Sequence, residues 1–358
     1  MDANVTQHST STTSFIDDTV VRSLTTLDQF WRTSTKTSWC VQPRQTILQR
    51  PGLPNLHGWV IQRGTVSTTT TEENGMSDAT RPEPSVGKQL PNKQFTVTNA
   101  LLNDYFEGLD LERSRFDTGT APVPTMIATD ADNYFGESAF SQLRGHLWMR
   151  QEWSFCKPMQ AGAHYETQAY IEDIYKKRNR TLVNTAITMK DAAGDDVLKT
   201  NHHQSFLLDE PVDQVEFREP SEKQGARKFI VPEGRPLEGL KKTITLEMCG
   251  QYFHGSKSYH TDKQASLELG FQEVVVGGRM TMAYIGHLLE TNYGDRWFST
   301  GKLDVKFTNP CWPDDAISIQ GVAMGPNDED PSREAVFAWI EKEDGTIVLI
   351  ANASVAMA

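Results

Sequence analysis

The chain has 358 residues, 37% of them apolar and 23% charged, which is enough for two ordinary domains that each bury a core. A formal charge of -12 weighs against general nucleic-acid binding, whose affinity comes from neutralising phosphates. No apolar run reaches the length of a membrane span, and the opening residues lack the basic start and apolar centre of a signal peptide, so a cytoplasmic protein without a membrane partner is expected.

Residues 1–94 are rich in Ser, Thr, Pro and Gly, including the run Ser67 to Thr71, and read as a partly irregular extension. Within it, Val20, Val21, Leu24, Leu27 and Trp31 are spaced for a helix over 15–31, and 39–66 suits an extended segment. Beyond residue 94 the chain repeats itself. The stretch TVTNALLNDYF at 96–106 matches TITLEMCGQYF at 243–253, and Phe155, Pro158 and Gly162 match Phe307, Pro310 and Asp314 at the same spacing. Each half then shows runs of β-forming residues: 165–175, 181–189 and 197–208 in the first, 316–324, 335–341 and 347–357 in the second. Turn residues at 190–194 and 343–345 join them into hairpins. The charged, Pro- and Gly-punctuated stretch 210–240 reads as a linker. The expected organisation is an extension (1–94), a first repeat (95–209), a linker (210–240) and a second repeat (241–358). Each repeat is predicted to be a lead-in helix, a loop, a long central helix and a curved antiparallel sheet wrapped around it, an α+β layout.

The stretch from Tyr252 to Leu289 concentrates the chemistry. Thr261 and Gln264 have capping-box spacing, which predicts a helix starting just after His260 with Asp262 in its first turn, where a negative charge suits the helix dipole. Gly277 and Gly278 open the long apolar segment 280–289, and free backbone N–H groups at such a helix start can hold an oxyanion. The cysteines, Cys40, Cys156, Cys249 and Cys311, are scattered without a metal-ligand pattern, so reduced thiols, no metal and no cofactor are expected. His202 and His203 fall in a predicted strand, whose alternation sends them to opposite faces and argues against paired metal ligation. His146, His164 and His287 are read as structural. The basic run Lys176 to Arg180 suits either the phosphates of coenzyme A or a solvated hairpin tip.

These residues resemble the MaoC-like hydratase family, the type-2 enoyl-CoA hydratases, in the double hot-dog arrangement over about residues 95–358. The resemblance is carried by Tyr252, His260 to Asp262 followed by Ala265, Gly278, and Phe307 with Pro310 and Asp314, with Ala121 to Pro124 and Phe155, Pro158 and Gly162 marking a degenerate first repeat. The family's usual aspartate is missing, because the loop from His254 to His260 contains no carboxylate. The resemblance implies a metal-independent lyase that adds or removes water at an unsaturated acyl or polyketide-like substrate, a coenzyme A thioester among the candidates. His260 would be the acid/base and Gly278 the oxyanion holder. Tyr259, Lys257, Arg279 and Asp262 are the candidate substrate contacts. For Asp262 the helix dipole is the competing role, for Lys257 plain solvation, and for Tyr259 core packing. An isomerase or cyclase without water chemistry, and a non-catalytic acyl- or lipid-binding protein, are the rival readings. A monomer or a homodimer is expected.

Overall fold

The computed structural model describes residues 83–113, 121–141, 146–177, 180–206, 208, 229–268 and 273–357. The helix and extended segment predicted before residue 67 lie outside these residues.

A threonine starts the lead-in helix of each half. Thr98 caps α1 (Asn99–Leu109), its hydroxyl accepting from the Leu101 N–H at 3.1 Å, and Thr245 caps α3 (Leu246–Tyr252), accepting from the Met248 N–H at 3.2 Å. The two helices pack so closely that a Cβ on Gly108 would lie 2.6 Å from the Tyr252 backbone. Tyr105 and Tyr252, which occupy matching positions of the repeat, bring their rings to 5.9 Å.

The strands are β1 (Gln89–Thr96), β2 (Leu147–Phe155), β3 (His164–Lys177), β4 (Arg180–Lys190) and β5 (Asp196–Phe206), then β6 (Arg235–Pro236), β7 (Leu240–Thr243), β8 (Lys302–Phe307), β9 (Ala316–Pro326), β10 (Arg333–Lys342) and β11 (Ile347–Ala356). They form one 11-stranded sheet in the order β1-β3-β4-β5-β2-β8-β11-β10-β9-β6, with β7 also on β9. The seam is β2 against β8, antiparallel, with Gln151 opposite Val305 and Trp153 opposite Leu303. Outward from it the halves read β2, β5, β4, β3, β1 and β8, β11, β10, β9, β7, one topology used twice. This is a double hot-dog. The hairpin strands fall close to their predicted ranges because alternation and turn chemistry specify both ends.

The second half contains the long helix, α5 (Gly278–Tyr293), followed by the short α6 (Asp295–Thr300). Met280, Met282, Ile285, Leu288 and Leu289 are fully buried, so α5 is buried over most of its surface and forms the core that its sheet curls around. Each contributes about 1.5–3 kcal/mol relative to exposure. The first half differs from expectation. Among the described residues between Val123 and β2 it has only a 3₁₀ helix, η1 (Thr125–Asp130), and a four-residue turn of helix, α2 (Phe135–Ser138). Pro122 and Pro124 fix the entry to η1, while Asp130, Asp132 and Asn133 favour local turns over helix continuation. In compensation α5 reaches across. The buried carboxylate of Glu290 accepts from both the N–H and the hydroxyl of Thr125, each at 2.7 Å. One apolar cluster therefore runs through both halves, from Phe95 and Leu102 to Ile285 and Leu349. Among the described residues no helix is long and apolar enough to cross a membrane.

Candidate active site

The loop between α3 and α4 (Lys263–Glu268) reverses the chain at His254 and Gly255, whose φ angles are +57° and +69°. The reversal lays Phe253 flat against His260, ring centroids 4.8 Å apart and planes within 15°, and Tyr259 touches the same ring at 3.8 Å. His260 Nδ1 lies 2.8 Å from the carbonyl oxygen of Val275. A carbonyl only accepts, so Nδ1 bears the proton and Nε2 is left with its lone pair. Burial pushes the His260 pKa down to about 4; the Val275 carbonyl opposes this and the positive Arg279 assists it. The ring is therefore a neutral base at physiological pH.

Val275 lies two residues before Gly277 and three before Gly278, so His260 is anchored beside the start of α5. Among the described residues the Gly278 N–H donates to nothing, as expected at the first turn of a helix. Packing excludes a side chain at Gly277 and crowds one at Gly278. A Cβ at 277 would sit 2.3 Å from the Phe253 ring, and one at 278 would sit 3.1 Å from Phe307.

Arg279 points toward the first repeat, pairing with Asp130 at 3.0 Å. Asp130 also lies 3.5 Å from His254 Nε2, and His254 Nδ1 lies 2.7 Å from Asp104, which Gln251 holds at 2.7 Å. Asp130, and after it Asp104, raises the His254 pKa to about 9, so this histidine is a cation clamped between two carboxylates of the other repeat. Two residues beyond Asp130 lies a buried polar group. Asp132 is 2% exposed and accepts from the Gln151 amide, which also bonds Thr200 at 2.9 Å. His202 Nδ1 stands 3.9 Å away. Burial raises the Asp132 pKa to about 7 against the opposing charge of Arg279.

The expected site residues thus divide. His260, Gly278, Tyr259 and Arg279 gather at the start of α5. Lys257 and Asp262 pair with each other at 3.4 Å, with the Lys257 side chain 72% exposed. Asp262, not Thr261, caps α4, accepting from the Ala265 N–H at 2.9 Å. The predicted capping box shifts by one residue because the Thr261 hydroxyl is used inside the loop, on the Ser256 carbonyl and the Ser258 N–H. His202 and His203 do face opposite sides of β5, His202 toward Asp132 and His203 toward Glu152 at 2.9 Å. Lys176 and Lys177 line an open depression with Arg150 and His203 that shares no residue with the His260 loop. Sequence reasoning missed Asp104, Asp130, Asp132 and His254. The one available signal was the pair of aspartates, Asp130 and Asp132, one residue beyond the apolar run 126–128.

Residues 242–338 match the MaoC-like domain. This MaoC-like region contains the His260 loop, α5 and most of the second sheet. No curated protein sequence matches the chain. In three dimensions the chain is similar to a MaoC-like dehydratase with a TM-score of 0.59 and 14% identity, over 78% of this chain and 100% of that one. It is similar to a MaoC-like dehydratase from Phytophthora capsici with a TM-score of 0.57 and 15% identity, over 78% and 97%. It also resembles the full-length peroxisomal multifunctional enzyme type 2 from Drosophila melanogaster, with a TM-score of 0.56 and 17% identity, over 75% of this chain and 48% of that one. At these identities the likeness is one of fold.

Proposed function

We propose that the chain is a lyase that removes water from, or adds it to, an unsaturated acyl or polyketide-like substrate presented as a thioester or a free acid. The observation that carries this reading is the His260–Val275 bond, which fixes the tautomer of a neutral imidazole beside the open N-terminus of a buried helix. In the dehydrating direction, His260 Nε2 takes the proton from the carbon next to the carbonyl. The electron pair of that C–H bond moves toward the carbonyl oxygen, and the Gly278 N–H stabilises the enolate charge that develops there. The enolate then re-forms the carbonyl, making the carbon–carbon double bond and expelling the β-oxygen, which takes up a proton and leaves as water. Tyr259 and Phe253 hold the imidazole in plane, and Arg279 helps keep it unprotonated. Within the loop from Tyr252 to His260 no carboxylate is available to supply the proton for the departing oxygen. That lack supports a second reading, an isomerase or cyclase in which His260 alone shifts a proton.

The test is mass spectrometry of the full chain incubated in oxygen-18 water with a panel of 2-enoyl and 3-hydroxyacyl thioesters and free acids, alongside His260→Ala. A gain or loss of one water by the wild type, absent in His260→Ala, is the expected result. Product of unchanged mass selects the isomerase or cyclase, and full turnover by His260→Ala removes both.

A further inference from the structure

The missing proton donor has a candidate in the other repeat. Asp132, Gln151 and His202 converge from the segment after η1, from β2 and from β5, and are 2%, 0% and 7% exposed. Each keeps one polar atom without a hydrogen-bond partner: Asp132 Oδ1, Gln151 Oε1 and His202 Nε2. A cluster serving stability alone is expected to satisfy its own atoms, since each orphan costs on the order of 1–3 kcal/mol.

Position links this cluster to the His260 site. His202 packs against Trp148 at 4.3 Å, Trp148 against Phe307 at 5.4 Å, and Phe307 is the neighbour that would crowd a Cβ at Gly278. On the other side, Asp130 joins the same segment to Arg279, the next residue of α5. The positive charge of Arg279 lowers the pKa of His260, His202 and Asp132 alike.

We propose that Asp132 is the second proton-transfer group of this site, contributed by the first repeat in place of a carboxylate in the His260 loop. This rests on the lyase reading above. The geometry also assigns the proton. Asp132 Oδ2 is occupied by the Gln151 amide, so the acid form carries its hydrogen on the orphan Oδ1, where it is free to be donated. In dehydration His260 Nε2 gains the α-proton while Asp132 Oδ1–H gives its proton to the β-oxygen. The C–O electron pair leaves with the water, and the enzyme is left as imidazolium and carboxylate until the proton passes back. The charged and titratable groups facing Asp132 are Arg279 on α5, His202 on β5, Lys93 on β1 and its own neighbour Asp130. Burial prevails over the two cations and keeps the acid form populated up to neutrality.

Dicyclohexylcarbodiimide tests this without a known substrate, because it adds across the O–H of a protonated carboxyl reachable through an apolar cavity and leaves an N-acylurea. Peptide mapping of the full chain should find the adduct on Asp132 at pH 6, falling about tenfold by pH 8 as the group with pKa about 7 ionises, and absent in Asp132→Asn. No adduct on Asp132 at pH 6 overturns the proposal. With the substrate panel, Asp132→Asn should lower kcat at least 100-fold and abolish the alkaline limb near pH 7, while its melting temperature at pH 8 stays at or above wild type. Wild-type kcat and an unchanged alkaline limb in Asp132→Asn, with His260→Ala inactive, overturn the role of Asp132 and leave the lyase reading intact. A wild type inert toward the whole panel overturns the lyase reading and the catalytic role of Asp132 together.

Discussion

At the scale of single residues, the site depends on how little space surrounds His260. Gly277 has Phe253 where a side chain would begin, 2.3 Å from a built Cβ, and Phe253 is the ring on which the imidazole stacks. Gly277→Ala must push that ring aside, at a cost of roughly 1–3 kcal/mol. We expect a lower melting temperature together with a larger fall in kcat than in KM; a variant with wild-type kcat would show that the stack does not position the base. His254 makes a second prediction, through pH. Its folded pKa is raised from 6.5 to about 9 by Asp130 and Asp104, so its stabilising contribution is complete below pH 6.5 and is lost as pH rises through 9. The gap in melting temperature between wild type and His254→Asn should therefore shrink between pH 6 and pH 10. A gap that is constant over that range would mean the histidine is not charged in the fold. Both histidines lie within seven residues, yet only His260 was identifiable from sequence. The reason is that His260 stands before a recognisable helix start, whereas the role of His254 comes from carboxylates about 120 and 150 residues away.

At the scale of elements, the repeat was readable where local signals recur and unreadable where they are replaced. The hairpin turns and the apolar run of α5 follow from spacing and appear, whereas the cap expected at Thr261 moves to Asp262. Among the described residues the central helix expected in the first repeat does not appear, because Pro122, Pro124 and the turn-forming residues 130–133 occupy that stretch, and similarity elsewhere in the repeat cannot show that one segment has been substituted. The loss has an energetic consequence. With η1 in that place, its first turn depends on α5, and Glu290 satisfies two buried donors of Thr125 at once, while the Trp297 indole also donates to the Thr125 hydroxyl at 3.3 Å. Glu290→Ala leaves those donors buried and unpaired and should cost about 3 kcal/mol, measured by urea unfolding. A loss below about 1 kcal/mol would show that η1 holds its place without the carboxylate. Asp132 lies just beyond η1, so the same variant should also disturb the labelling of Asp132, linking the scaffold of one repeat to the chemistry of the other.

At the scale of the whole molecule, the two repeats share more than a sequence pattern. The seam between β2 and β8 continues the sheet without a break, Arg150 grips Asp304 across it at 2.6 and 2.8 Å, and the apolar core extends through both halves. The tight approach of Gly108 to Tyr252 and the clamp of His254 between Asp104 and Asp130 add contacts at the site end. A MaoC-like region confined to residues 242–338 would lack both the seam partner of β8 and the carboxylates that surround Arg279 and His254. Unfolding one repeat therefore exposes the core of the other. Scanning calorimetry of the full chain should give a single transition for the double hot-dog, with calorimetric and van't Hoff enthalpies in agreement. A chain beginning at residue 229 should fail to bury α5 and should expose a long β8 edge, and we expect it to aggregate. Two separate transitions in the full chain, or a soluble and cooperatively folded second repeat, would mean that the halves are independent. In that case the first repeat could not hold Asp132 in fixed register with His260, and the division of the reaction between two repeats would lose its structural basis.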